Sequence, residues 1–355
     1  MNPRPDFWKG KKVFLTGHTG FKGSWMAIWL NAMGAKTMGY SLEAPSTPSL
    51  FEVAKVSEFC QTQIADIRDL STLTKAIAGF EPDLVIHMAA QSLVRPSYEA
   101  PVETYATNVM GTVHLLEACR NKKNLKAIVN VTSDKCYENR ELNLPFKESD
   151  PMGGLDPYSS SKGCAELVAR AYFHSFFKKT NQGLASVRAG NVIGGGDWAV
   201  DRLIPDCVRA LAKQEIVAIR NPQSLRPWQL VLEPLCGYLL VAEKLWQDPS
   251  TYSQGWNFGP ELEDIKPVSW LSDQMIKQWG SGTWQDVSDA SQPHEAKVLK
   301  LDSALAQQKL QWRPRYKLPQ AIEKSVDWYK RFYQGESAHR LCLEQIDAYV
   351  RMEGS

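Results

Sequence analysis

Short apolar runs alternate with helical periodicities through the first half of the chain. Lys12 to Thr16 (K-V-F-L-T) reads as a buried strand, and residues 20–33 carry Phe21, Trp25, Ile28 and Trp29 at helical spacing. The alternation continues with strands at Ala35 to Tyr40, 61–65, Asp83 to His87, 125–133 and 183–189, and helices at 69–79, 100–121 and 157–178. Such an order predicts an α/β fold: a parallel sheet covered on both faces, doubly wound and Rossmann-like because crossovers are right-handed. After about residue 190 the pattern loosens, punctuated by three consecutive glycines at 194–196 and by Pro205, Pro222, Pro227 and Pro234. The expected division is a dinucleotide-binding domain over 1–190, rejoined by roughly 225–250, and a smaller C-terminal substrate lobe over most of 191–355.

Composition narrows the class. A chain of 355 residues, 43% hydrophobic, has material for a large core. Its 41 Lys plus Arg against 39 Asp plus Glu leave a net charge of +2 without a basic run, so nucleic acid is not an expected partner. The seven cysteines are scattered, odd in number and contain no C-x-x-C pair, which argues against a disulfide framework or a metal site and for thiols buried in a reducing cytoplasm. The start, MNPRPDFWKGKK, lacks the apolar stretch of a signal peptide, and no run of about eighteen apolar residues predicts a membrane span.

Chemistry concentrates at the ends of predicted strands. T-G-H-T-G-F-K-G places Gly17, Gly20 and Gly23 between the first strand and the first helix, where glycines permit a tight turn and the helix N-terminus favours a pyrophosphate. His18 and Lys22 stand in the same turn, either as cations that meet a phosphate or as solvated side chains. Tyr158 and Lys162, four apart in Y-S-S-S-K, share one helix face, and an ammonium beside a phenol favours the phenolate that removes an alcohol proton. The run V-T-S-D-K-C-Y puts adjacent ionisable residues, Asp134 and Lys135, at the end of the fifth strand; a weak surface pair is the plain structural alternative.

The G-x-x-G-x-x-G spacing, Asp66-Ile67, H-M-A-A-Q (His87 to Gln91), Asn108 within T-N-V-M-G-T and Y-S-S-S-K together resemble the extended short-chain dehydrogenase/reductase family. The resemblance implies NAD as cofactor, held by Gly17, Thr19, Gly20, Phe21, Lys22, Gly23, Asp66, Ile67, Ala89, Ala90, Gln91, Asn108, Tyr158 and Lys162. Ser41 stands near the place where that family usually has a ribose-binding Asp, with Glu43 two residues on. The adjacent acid–base pair is similar to the sugar-nucleotide 4,6-dehydratases, with Lys135 where they usually have Glu, and implies catalytic roles for Ser133, Asp134, Lys135, Tyr158 and Lys162. Asp134 would donate to the C6 hydroxyl and Lys135 would take the C5 proton. Asn191 and Arg226, with Gln91 and Ser133, are the implied substrate contacts; a surface ion pair is the alternative for Arg226. G-G-G-D-W-A-V-D-R-L-I-P-D and L-R-P-W-Q-L-V-L-E resemble the bacterial CDP-glucose 4,6-dehydratases most closely. That subgroup implies CDP-glucose as substrate, a homodimer formed by two helices per subunit, and a place in 3,6-dideoxyhexose formation for O-antigen. A 4-epimerase, or a non-catalytic dinucleotide sensor, is the competing reading on the same fold.

Overall fold

The computed structural model describes residues 1–139, 144–289 and 299–352. Seven parallel strands form the central sheet: β1 (Lys12–Thr16), β2 (Lys36–Ser41), β3 (Gln61–Ile64), β4 (Leu84–His87), β5 (Ala127–Val131), β6 (Gly183–Ala189) and β7 (Gly255–Phe258). Their order across the sheet is β7-β6-β5-β4-β1-β2-β3, so the winding reverses between β1 and β4. Every residue of β4, β5 and β6 is buried, the signature of strands covered on both faces. One core cluster includes Val13, Leu15, Trp25 and Trp29; a second joins Phe14, Val85 and Ile128 to Leu115 and Phe173.

The helices that position the site are α1 (Phe21–Ala32), α2 (Leu70–Phe80), α3 (Gly111–Cys119), α4 (Pro157–Ser175), α5 (Leu203–Ala212) and α6 (Leu232–Gln247). Two helical expectations change in detail. The single helix expected over 100–121 is Pro101–Tyr105, a wider π turn at Ala106–Met110, and α3. In that turn the side chain of Asn108 reaches Gln91 and Ser161, bonds that propensity does not reveal. The helix expected to 178 stops at Ser175 and gives way to a 3-10 turn.

The return of the second half to the sheet runs further than residues 225–250. α6 packs on β5 and β6, β7 extends the sheet beyond β6, and the helix Ala338–Arg351 packs on α1, with Tyr349 5.8 Å from Trp29 in an edge-to-face contact. A four-residue strand among glycines and prolines offers too short a period to be read as part of the main sheet; burial of Trp256 and Phe258 decides it. The remaining lobe is built on three two-stranded pairs, among them Leu225–Arg226 with Lys266–Pro267.

Candidate active site

A cavity of about 820 Å³ opens along the C-terminal ends of the strands, where doubly wound sheets bind ligands. It is lined by all of the expected site residues except Asn108. Asn108 is buried behind the wall: its Oδ1 accepts from Gln91 N at 2.9 Å, and its Nδ2 donates to Gln91 O and Ser161 Oγ at 2.9 and 2.8 Å. It braces the loop after β4 against α4 instead of facing a ligand. Gln91 does reach the wall, but its amide donates to Leu93 O and Thr104 Oγ1 and accepts from Leu93 N, so its bonds shape its own loop.

At one end lies the glycine turn. Gly17 has φ +76°, and a Cβ there would stand 2.7 Å from Ala89 N; a Cβ on Gly23 would stand 2.0 Å from Gly17 O. No side chain caps α1, leaving its first N–H groups directed at the cavity. A turn stripped of side chains beneath a free helix N-terminus fits the pyrophosphate of a dinucleotide. Asp66, which also lines the cavity, is paired with Arg68 at 2.6 Å. Ser41 bonds Thr19, Oγ to Oγ1, at 2.8 Å.

The two cations of the turn take different places. His18 is buried beneath it, against Gly39 and Phe51, with Nε2 3.2 Å from Thr62 Oγ1; burial pushes its pKa down to about 4. It is a neutral packing residue and neither a phosphate ligand nor a solvated one. Lys22 lines the cavity within electrostatic reach of Arg202, Lys162, Asp134 and Asp197; burial and then the neighbouring cations lower its pKa to about 8.

The residues expected to be catalytic gather at the C-terminal end of β5 and the start of α4. Asp156 caps α4 through Ser159 N at 2.9 Å and Pro157 opens the first turn, which sets Tyr158 at the cavity wall. Tyr158 N donates to Ser97 Oγ at 3.2 Å, and its hydroxyl bonds Ser133. Burial raises the phenol to about 12, against the Ser133 bond and the nearby Arg202 that lower it. Lys162 Nζ donates to Val131 O at 3.4 Å, and burial brings its pKa down to about 8. The expected help from an ammonium is therefore outweighed by desolvation, and the phenol is protonated at neutral pH until further positive charge arrives.

The residues after β5 form a single 3-10 turn, Asp134–Cys136, capped by Ser133 Oγ, which accepts from Lys135 N at 3.3 Å and donates to Asp134 Oδ1 at 3.0 Å. Asp134 is buried, and its Oδ2 has no hydrogen-bond partner among the described residues. Lys135 is half-buried on the same wall. Asp134 and Lys135 are thus cavity groups and not a solvated surface pair. Asn191 and the buried Arg226 complete the wall from the second lobe.

Residues 14–325 match the family model described as GDP-mannose 4,6 dehydratase. The chain belongs to this dehydratase family. A CDP-glucose 4,6-dehydratase of Salmonella typhimurium is 53% identical to this dehydratase-family chain over 97% of its length and 98% of the relative's. A dTDP-glucose 4,6-dehydratase of Xanthomonas campestris pv. campestris is 26% identical over 80% of this chain and 84% of its own. Among solved structures, dTDP-glucose 4,6-dehydratase from Bacillus anthracis in complex with NAD superposes with a TM-score of 0.77 at 21% identity, covering 92% of this chain and 98% of that one. UDP-glucose 4-epimerase from Thermotoga maritima with UDP-glucose gives 0.79 at 18% identity, over 91% of this chain and 99% of that one. At these identities the two structures establish the fold and do not separate dehydratase from epimerase.

One wall residue of this family member had no role assigned from sequence. Arg202 donates to Asp197 Oδ2 at 3.0 Å and to Ser92 Oγ at 3.1 Å, tying the second lobe to the loop after β4 within electrostatic reach of Tyr158. The D-W-A-V-D-R run containing it was noted for resemblance alone; its charge pattern held the available signal.

Proposed function

We propose that this chain is a CDP-glucose 4,6-dehydratase, converting CDP-glucose to CDP-4-keto-6-deoxyglucose and water with NAD bound in the cavity. The observation that carries the reading is the sharing of one cavity by the Asp134–Lys135 pair and the Tyr158–Lys162 pair. An oxidising pair and an eliminating pair that face the same space can act on one sugar ring. The Salmonella typhimurium relative, which carries this name, supports the choice of nucleotide.

When bound, NAD supplies reversible hydride acceptance, so that no outside reductant is consumed, and a positive charge beside the phenol. Tyr158 takes the C4 hydroxyl proton while Ser133 holds the same oxygen. Arg202 provides the protein's own positive field at that point, and Lys162 stands one helical turn beyond the phenol on α4. A ketone at C4 acidifies C5, and Lys135 removes that proton and returns it to the same carbon once water has left. Asp134 Oδ2, the carboxyl oxygen to which no described group donates, carries the proton given to the departing C6 hydroxyl, which leaves as water. Arg226 offers a planar fork to the diphosphate and Asn191 an amide beside it. Positioning of these groups on adjacent carbons supplies a large part of the rate.

A second copy of the chain is the proposed partner. Pro101–Tyr105 lies beside α4, and their outer faces expose Val102 (82%) and Leu167 (55%), with Tyr98 and Tyr105 nearby. No described helix is long and apolar enough to cross a membrane, and the seven cysteines are free. Both observations support a place in the cytoplasm, where the product would enter 3,6-dideoxyhexose formation.

The test is incubation of the protein with CDP-, dTDP-, UDP- and GDP-glucose and either NAD or NADP, followed by mass spectrometry and NMR of the products. Loss of one water from CDP-glucose with NAD is expected. Loss from another nucleotide sugar in preference would overturn the base assignment, and a C4 epimer in place of a ketone would overturn the reaction.

A further inference from the structure

Behind the acid–base turn lies a buried set of polar groups that the reaction does not consume. Glu166, one helical turn beyond Lys162 on α4, forms a two-pronged ion pair with Arg188 of β6, at 2.8 Å (Nε to Oε1) and 2.7 Å (Nη2 to Oε2), and both side chains are about 95% buried. Thr132 Oγ1 donates to Glu166 Oε1 at 2.5 Å. Arg188 Nη1 donates to the Tyr137 hydroxyl at 2.5 Å, which donates in turn to Asn257 Oδ1 at 2.7 Å. Arg188 and Asn257 are register partners on β6 and β7, and a Cβ on Gly255 would stand 2.3 Å from Arg188 Nη2, so that glycine leaves the guanidinium its space. Thr132 and Tyr137 flank the segment 133–136. One ion pair therefore holds both ends of the turn that carries Asp134 and Lys135.

We infer that the Glu166–Arg188 pair is a positioning clamp for the acid–base turn, acting through Thr132 and Tyr137 and governing water elimination more than oxidation at C4. The inference rests on the dehydratase reading. Tyr158 and Lys162 have supports outside the turn, the Asp156 cap and the bonds to Ser97 and Val131, beside the bond from Tyr158 to Ser133, whereas Asp134 and Lys135 lie within the turn itself. A buried ion pair adds little net stability over an apolar substitute, but a fully bonded one imposes a unique geometry. Here the geometry imposed is that of the turn.

Tyr137→Phe keeps the ring, stacked 4.8 Å from Phe146, and deletes only the hydroxyl between Arg188 and Asn257. Wild type and variant, each with bound NAD, are mixed with CDP-glucose; reduced-nicotinamide absorbance and product are followed in time, with the melting temperature as a control for folding. The variant is expected to form product roughly tenfold more slowly, the rate equivalent of about one lost hydrogen bond, while reduced nicotinamide accumulates. Equal slowing of both signals, or no change in either, overturns the clamp. If Tyr137→Phe does not fold, Asn257→Ala, which removes the acceptor of that hydroxyl, is judged by the same ratio. A wild type that removes no water overturns the dehydratase reading and the clamp together; an active wild type with an unchanged ratio in the variant overturns the clamp alone.

Discussion

Two turns at the same edge of the sheet keep their shapes by opposite means. The glycine turn after β1 is held by what it lacks: with hydrogens at positions 17 and 23, backbone packs on backbone where a Cβ would collide. The acid–base turn after β5 is held by what surrounds it, a network of Thr132 and Tyr137 on its own flanks with Glu166, Arg188 and Asn257 from three other parts of the chain. The first suits recognition of a phosphate, which needs close approach and free N–H groups. The second suits proton transfer, which needs side chains fixed to a fraction of an ångström. Backbone recognition tolerates local definition; side-chain chemistry demands long-range support.

The contrast can be broken by experiment. The largest expected effect is that of Asp134→Asn: water loss falls roughly a hundredfold to ten-thousandfold, the usual contribution of general acid–base catalysis, while NAD affinity measured by calorimetry stays the same. A parallel fall in NAD affinity would show that the two turns do not work separately. Next comes Gly23→Ala. The added methyl meets Gly17 O, so unfolding free energy drops by about 1–3 kcal/mol and NAD affinity falls, whereas binding of CDP-glucose measured without NAD is retained. Unaltered NAD affinity would remove the close-approach argument. Val102→Glu, on the exposed face beside α4, should shift sedimentation of the proposed dimer toward that of a monomer without changing either turn.

The smallest effect is on pH. His18 has a folded pKa of about 4 against an ordinary value of 6.5. Between these values the unfolded chain binds a proton that the folded chain refuses, so this contribution to stability is present above pH 6.5 and is lost as pH falls toward 4. The melting temperature of wild type should therefore decline more steeply over that window than that of His18→Phe. Identical slopes would mean that the ring is not shielded beneath the turn. His87, lowered to about 3 by burial, acts in the same sense in both proteins and cancels in the difference.

Much of the fold was legible because its signals are local. Strands β1 to β6 appear as runs of four to seven residues, and α1, α2 and α4 as periodicities bounded by glycine, Asp69 or Asp156-Pro157. The glycine spacing and the Tyr158–Lys162 interval are equally local, so residue type and separation along the chain were sufficient to find them. The motif of Asn108 places it beside the cavity, but direction of the side chain, which the motif does not encode, turns it to bracing, while Gln91 lines the wall with its amide bonded within its own loop. β7 and the C-terminal helix were missed as parts of the first layer because nothing within four or fourteen residues says what they pack against.

By itself the sequence determined the doubly wound order and the dinucleotide turn, and it singled out Asp134, Lys135, Tyr158 and Lys162 as candidates for proton transfer, all of which rest on spacings of a few residues. Only the tertiary structure decided which groups share a space and in what state. It buried His18, raised Tyr158, lowered Lys22 and Lys162, and set Arg188 opposite Asn257 through the register of β6 and β7. The physical reason is that desolvation and hydrogen-bond geometry depend on neighbours far away along the chain, which become neighbours only when the sheet is assembled.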